Sequence, residues 1–490
     1  MVAAARPEPS RLYRWMVLLF VSLAMGGNYY IYDSINPLER IFIDKLGFSA
    51  TAFGWLNSSY SVAAVATLLI GGIIIDRIGT KKAITFFALL CLAGAALTAA
   101  RGRPGIMIAG RTVLGLGAES MIVAATTVLA KWFKGKELSF AFGINLTIAR
   151  LASVAADNSP TWANTVFYPN GPRGEPSWQG PLMIAVGAGA LAVLCSVAYW
   201  VLENHAEGRY ELGKAGSIDK LEFGQGFRIR GLKPREAVAQ IWIGLKEMLG
   251  FNPSYWFVVG LCFTFYSAIF PFRTFAIDFF TNKIQAASHG GILAAEAIKQ
   301  AGFCNSVLPI SAMIATPLFG LMVDRIGKRA LYMMLGSVLL MPVYLMMAYL
   351  SAAKTVTFTI PWFSTWHLTF EHVTLPLLLL VTTSMMGIAF SLIPAIMWPS
   401  VAYIVDQSRL GTAYALMTMI QQIGFFLLNL LIGTANDYTH AGLDNPGGYA
   451  LGMWIFSILG FVGLAFAILL RMRETGPHGH GLETITAGKA

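Results

Sequence analysis

The sequence predicts an all-α membrane protein. Twelve transmembrane helices form two six-helix halves, with both termini in the cytoplasm. Three observations predict this. First, of the 490 residues 56% are hydrophobic and only 12% are charged, whereas an ordinary soluble domain carries about 25% charge. The mean hydropathy is +0.62, and a water-soluble enzyme of this size could not cover its surface with so little charge. Second, the apolar residues gather into runs long enough to cross a bilayer, which takes about 20 residues each. Third, the basic residues alternate between loops. The loops on the side of the N-terminus carry 24 Lys and Arg, the opposite loops 8, and three more lie within spans. The positive-inside rule then puts both termini in the cytoplasm.

The apolar runs fall near 15–38, 52–75, 83–100, 105–130, 138–163, 181–202, 254–280, 302–323, 330–351, 374–404, 412–435 and 449–470. Pro394 and Pro399 predict a break or kink in the tenth. A repeat divides the chain. Gly72, Asp76, Arg77 and Gly79 recur as Gly320, Asp324, Arg325 and Gly327, always 248 residues later. The expected organisation is a first half over 1–203, a cytoplasmic linker over 204–252, a second half over 253–475 and a cytoplasmic tail over 476–490. In the linker, Val238, Ile241, Trp242, Leu245 and Leu249 follow helical spacing, which predicts an amphipathic helix on the cytoplasmic face. The outer segments 281–300 and 351–373 carry no readable role. Parallel halves imply a binding site at their interface, near the bilayer midplane.

Other function classes find little support. The four cysteines lie in or beside apolar runs without metal or disulfide spacing, and the seven histidines fall in loops or the tail. No metal, cofactor or enzymatic activity is expected, because neither a metal cluster nor a nucleophile with its base is visible. No Walker motif offers ATP as a driving force. The net charge of +10 is spread over loops as a topology signal, so no nucleic-acid partner is expected. The first apolar run is too long for a cleavable signal peptide.

Ionisable groups inside a membrane are costly and mark functional sites. This chain keeps Asp33, Arg111, Glu119, Arg150, Arg273 and Asp278 within spans, with Asp157 near a helix end. Spans four and five form a hairpin around the loop 131–137. Glu119 lies 12 residues before Lys131, and Arg150 lies 13 after Glu137. At about 1.5 Å per residue the two reach matching depth, roughly 18–20 Å from the cytoplasmic edge. Two readings stay open: a permanent ion pair between helices, or a site for a zwitterion. In the second, Glu119 takes an ammonium, and the Arg150 guanidinium takes a carboxylate in bidentate fashion.

Twelve spans with a twice-repeated G-x-x-x-D-R-x-G loop resemble the major facilitator superfamily. The resemblance implies that Asp76, Arg77, Asp324 and Arg325 latch a cytoplasmic gate. Several stretches are similar to a narrower branch, the lysosomal dipeptide transporters and their prokaryotic relatives. They are Asn28-Tyr29 with Tyr32-Asp33, the segments 110–120 and 132–150, Trp398-Pro399, and the segment 410–424. This resemblance implies that Glu119 holds a peptide's amine and Arg150 its carboxylate. Tyr29, Tyr32, Asp33, Asn305, Trp398, Tyr403, Tyr414 and Gln421 are the further candidates for the cavity wall. Arg273 departs from the branch, where an apolar residue is expected after Pro-Phe. It either favours an anionic side chain or pairs with Asp278 five residues on.

The expected function is a secondary transporter of small peptides, dipeptides first, working by alternating access. The rival is an organic-anion or sugar-phosphate exchanger using Arg150 and Arg273. The expected partners are a small-molecule substrate and the lipid bilayer, with a monomer and no obligatory accessory subunit. The short N-terminal tail lacks an acidic dileucine signal, and Asn57-Ser58-Ser59 and Asn145-Leu146-Thr147, the glycosylation-type triplets, lie within spans. The expected location is therefore a bacterial inner membrane.

Overall fold

The computed structural model describes residues 9–133, 138–207, 209–210, 250–288, 291–358, 373–406 and 410–485. Within these helices, the side chains of Asp76, Arg77 and Asp324 are among those outside the description. The amphipathic helix expected in the linker also lies outside the described residues.

The N-terminal helices are α1 (Arg11–Asp33), short α2 (Glu39–Leu46), α3 (Ala50–Ile78), α4 (Thr80–Ala100), α5 (Pro104–Phe133) and α6 (Leu138–Asp157). After them come two single turns, α7 (Ser159–Trp162) and α8 (Asn164–Phe167), and then α9 (Gln179–Glu207). The C-terminal helices are α10 (Pro253–Ala287), α11 (Ala294–Ile326), α12 (Arg329–Tyr349), α13 (Leu377–Ile404), α14 (Leu410–Tyr438) and α15 (Ala450–Glu474). Among the described residues, ten helices are long and apolar enough to cross a membrane. Two more, α3 with 29 residues and α6 with 20, run in the same bundle. Strands β1 (Thr355–Phe358) and β2 (Val373–Pro376) pair antiparallel between α12 and α13.

Local chemistry sets the helix ends. Ser10, Ser49 and Asn252 each accept a backbone N–H three residues on, at 3.3, 3.1 and 2.9 Å, and so cap α1, α3 and α10. The repeated loop is a turn used twice. Gly79 (φ +80°) closes α3 and Gly327 (φ +74°) closes α11. A residue with a side chain rarely adopts that backbone conformation. The tenth run is unbroken, with α13 continuing through both prolines. Neighbouring helices in a bundle re-satisfy the backbone groups that proline frees.

The packing shows where the bundle is tight. One apolar core belongs to the N-terminal helices alone, from Val17 and Ile75 to Phe133, Tyr199 and Ala206. The other holds the C-terminal helices together with the far ends of the N-terminal ones: Leu38, Phe42, Phe53, Leu56 and Phe167. The two groups of helices therefore merge at the end away from the chain termini.

The tail folds back onto the opposite end. Lys328 and Arg329 donate backbone N–H groups to the carbonyls of Glu483 and Leu482 at 3.1 and 3.2 Å. Ala330 donates to the Glu483 carboxylate at 2.9 Å. His480 pairs with Glu474 at 2.9 Å and lies 3.2 Å from the amide of Asn252. Asn252 in turn donates to the Ile404 carbonyl at 2.8 Å.

Candidate substrate site

Small residues in α5 bring Glu119 to its partners. A Cβ on Gly115 would lie 2.3 Å from the Tyr60 carbonyl of α3, and one on Gly117 would lie 2.7 Å from the Phe87 carbonyl of α4. Glycine lets the three backbones close up, which brings the Tyr60 hydroxyl to Glu119. It donates to Glu119 Oε1 at 3.0 Å. Gln422 of α14, from the C-terminal group, donates its amide nitrogen to the same oxygen at 3.0 Å. Among the described residues nothing donates to Oε2. Tyr60 and Gln422 are buried, and Glu119 is half-buried.

Arg150 occupies the matching position on α6. Among the described residues it pairs with no carboxylate, so the permanent Glu119–Arg150 bridge is not formed. Its guanidinium lies over the Phe390 ring at 5.4 Å and the Phe270 ring at 6.0 Å, both from the C-terminal group. Such contacts attract a cation without meeting its hydrogen-bond demand. Phe270 stacks on Tyr266 at 5.7 Å. Trp398 donates its indole N–H to the Tyr266 hydroxyl at 2.9 Å, and Tyr414 donates to the Trp398 carbonyl at 2.9 Å. Trp398 and Tyr414 thus belong to an aromatic wall that runs up to Arg150. Tyr29 is half-buried and packs against the core of the N-terminal helices. Tyr32 meets Tyr60 edge-on at 4.7 Å.

Three other candidates gather elsewhere. Arg273 donates to Asp157 at 2.8 Å and pairs with Asp33 at 3.5 Å, all three buried. Asn305 is buried, and its amide nitrogen meets no acceptor among the described residues. Asp157 lies seven residues beyond Arg150, about 10 Å along the helix. Arg273, Asp33 and Asn305 therefore form a cluster on the closed side of the centre. The expected Arg273–Asp278 pair does not form. Asp278 instead accepts from Tyr449 and, at 3.1 Å, from Asn282.

Two cavity candidates are displaced. Gln421 faces Cys262 within the C-terminal group, with the thiol 3.9 Å from its amide oxygen; its neighbour Gln422 reaches Glu119. Tyr403 is exposed and lies under the Arg329 guanidinium at 5.1 Å, near the chain termini. Of the loop charges, Arg325 is exposed, and the side chains of Asp76, Arg77 and Asp324 are outside the description. Arg111, another intramembrane charge, donates to the carbonyls of Ile31 (3.3 Å) and Tyr32 (3.1 Å) and to Asn57. It is a bracket for the end of α1.

On one side of the site the two groups of helices are fastened together. On the side away from the termini, Asn57 donates to Thr274 at 3.0 Å and Asn158 to Ser306 at 2.5 Å. There too the backbone N–H groups of Ala50 and Thr51 donate to Asp437, each at 2.8 Å. A Cβ on Gly302 would lie 2.1 Å from the Asp157 carbonyl, so the helices are in backbone contact. Beyond Glu119 and Gln422 toward the termini, no hydrogen bond or ion pair crosses between the groups among the described residues. The arrangement is a carboxylate and a guanidinium held apart between two groups of helices that are fastened together on the side away from the termini.

The sequence profile described as Major Facilitator Superfamily matches residues 18–363 and 297–488. The chain is 29% identical over 433 residues to the lysosomal dipeptide transporter MFSD1 of Danio rerio, covering 87% of this chain and 81% of that protein. The human protein of that name is 28% identical, with coverage of 88% and 82%. Among solved structures, the nucleoside transporter NupG superposes with a TM-score of 0.64 at 13% identity, covering 94% of this chain and 99% of that one. An inward-facing bacterial homologue of the human lysosomal transporter Spinster superposes at 0.65 and 15%, with coverage of 95% and 98%. The helical bundle and the matched profile lead to one conclusion: this chain is a multi-pass membrane protein belonging to the Major Facilitator Superfamily of transporters.

Proposed function

We propose that the protein moves small peptides, dipeptides first, across the membrane by alternating access. Glu119 binds the amine and Arg150 the carboxylate. The observation that carries this reading is the separation of the two charges. Glu119 keeps one carboxylate oxygen without a donor, and Arg150 faces aromatic rings without a carboxylate, both among the described residues. A cargo with an ammonium at one end and a carboxylate at the other meets both needs. The relatives whose name is lysosomal dipeptide transporter support the same cargo class.

In the proposed arrangement twelve helices cross the bilayer as two halves, 1–203 and 253–475, joined by the linker 204–252. Both termini, with the tail 476–490, lie in the cytoplasm. A cleft with Glu119 and Arg150 at its floor then opens inward, on the side of the termini, and Arg273 with Asp33, Asp157 and Asn305 latches the outer side. Asp76, Arg77, Asp324 and Arg325 take the inner gate when the halves rock. A bacterial inner membrane as the location and a monomer as the working unit complete the proposal.

The test is uptake of dipeptides by proteoliposomes, with thermal-shift binding in detergent. Dipeptides raise the melting temperature of the parent protein, and Glu119→Gln or Arg150→Ala removes both that shift and the uptake. Parental uptake by both variants would refute the assignment. An anion exchanger on Arg150 and Arg273 is the weaker reading. Arg273 already has two carboxylate partners, and Glu119 repels an anion.

A further inference from the structure

We infer that Gln422 is the second ligand of the amine, so that one ammonium group bridges the N-terminal and C-terminal helices. The inference rests on the dipeptide reading of Glu119 and adds a residue from the opposite side of the cleft.

The argument starts from what each group can accept. An ionised carboxylate only accepts hydrogen bonds, so the Gln422 atom facing Glu119 Oε1 at 3.0 Å is the amide nitrogen. The amide oxygen of Gln422 is then left over. It is buried and has no donor among the described residues. Glu119 Oε2 has none there either. The other oxygen of the carboxylate is already taken by Tyr60 and Gln422. Two joined side chains, one from α5 and one from α14, thus present two free acceptors, Glu119 Oε2 and the Gln422 amide oxygen, beside the one N–H of the Gln422 amide that Glu119 does not take.

A primary ammonium has the complementary pattern, with three N–H donors and no acceptor. Placed at Glu119, it gives one N–H to Oε2 and a second to the amide oxygen of Gln422. A carboxylate or a phosphate brings no donor for this pair. Gln421, one residue earlier, faces Cys262 within its own group of helices. The cross-cleft role therefore falls on one glutamine of the two.

A plain strut is the competing role, and it predicts the opposite sign. If the Gln422–Glu119 bond only holds the empty protein together, an arriving amine must break it. Removing Gln422 would then leave binding unchanged or make it tighter.

The experiment uses the full chain in detergent and measures dissociation constants for one dipeptide in three forms: free amine, N,N-dimethyl and N-acetyl. The free amine can serve both acceptors, the dimethylammonium keeps one N–H for Glu119 alone, and the acetylated form has no positive charge at that end while keeping its carboxylate. Gln422→Met keeps the side chain's length and removes the amide. We expect it to weaken the free dipeptide about tenfold, as loss of a hydrogen bond to a charged group does. The dimethyl form should lose no more than twofold. In the parent protein, dimethylation alone should cost about the same tenfold, and that arm stands if the variant does not fold. Equal or tighter binding of the free dipeptide by Gln422→Met overturns the inference, as does a parent protein indifferent to dimethylation. If the parent binds no dipeptide, the dipeptide reading falls and this inference with it. If Glu119→Gln abolishes binding while Gln422→Met does not weaken it, only the role of Gln422 is lost.

Discussion

Arg150 and Arg273 both lie inside the bundle and both face across the seam, but their surroundings differ. Arg273 has Asp157 at 2.8 Å and Asp33 at 3.5 Å. Arg150 has two aromatic rings and, among the described residues, no carboxylate. A buried cation with counter-ions of its own is already neutralised, and it ties helices together. One without them keeps its demand for an anion open. From this difference the cleft floor reads as a binding site and the Arg273 cluster as a fastening.

Substitutions can break this comparison. The largest effect belongs to the floor. Arg150→Ala should cut dipeptide uptake a hundredfold or more, about 2.8 kcal/mol at 1.4 kcal/mol per tenfold, and leave the melting temperature close to the parent's. A large loss of stability there would make Arg150 another fastening. Arg273→Met should do the reverse. Removing one member of a buried pair costs about 3–5 kcal/mol, seen as a lower melting temperature. Adding Asp33→Asn and Asp157→Asn should restore part of it, because the stranded charges are gone. If Arg273→Met melts like the parent, the cluster is no fastening.

A smaller effect is expected at the backbone contact beside that cluster. Gly302→Ala puts a methyl group where the Asp157 carbonyl now sits, and overpacking of this kind costs about 1–3 kcal/mol. Spin labels at the outer ends of α6 and α11 should report a longer mean distance in the variant; an unchanged distance would mean that the seam absorbs the methyl. The smallest effect is expected at Tyr403. Tyr403→Ala should leave uptake within twofold, since the ring lies with Arg329 away from the floor. An uptake defect as large as that of Trp398→Ala would bring Tyr403 back to the cavity.

The sequence made depth legible but not direction around a helix. Glu119 and Arg150 could be paired because both are counted from one short loop, and axial rise is regular. The repeat was readable because two turns need the same glycine. The misplaced residues share another cause. A step of one residue turns about 100° around a helix, and a step of five turns about 140° past a full circle. Gln421 and Gln422 therefore face different neighbours, Asp278 points away from Arg273, and Tyr403 points away from Trp398. A long apolar helix with no polar face gives no signal from which to set that phase. Phe270, Phe390 and Tyr266 were invisible for the same reason, as aromatics among many aromatics. The Arg273 cluster joins α1, α6 and α10 across 240 residues of chain, and a single sequence carries no local sign of such a meeting.

The folded tail has a consequence for anyone handling the protein. Through Leu482, Glu483, His480 and Glu474 it buckles together the start of α12, the foot of α10, the last turn of α15 and, by way of Asn252, the end of α13. Trimming the chain at Thr475, or splicing a bulky reporter into 476–485, would undo that buckle while leaving the cleft floor chemically intact. A slow transporter made in that way would owe its fault to a loosened half.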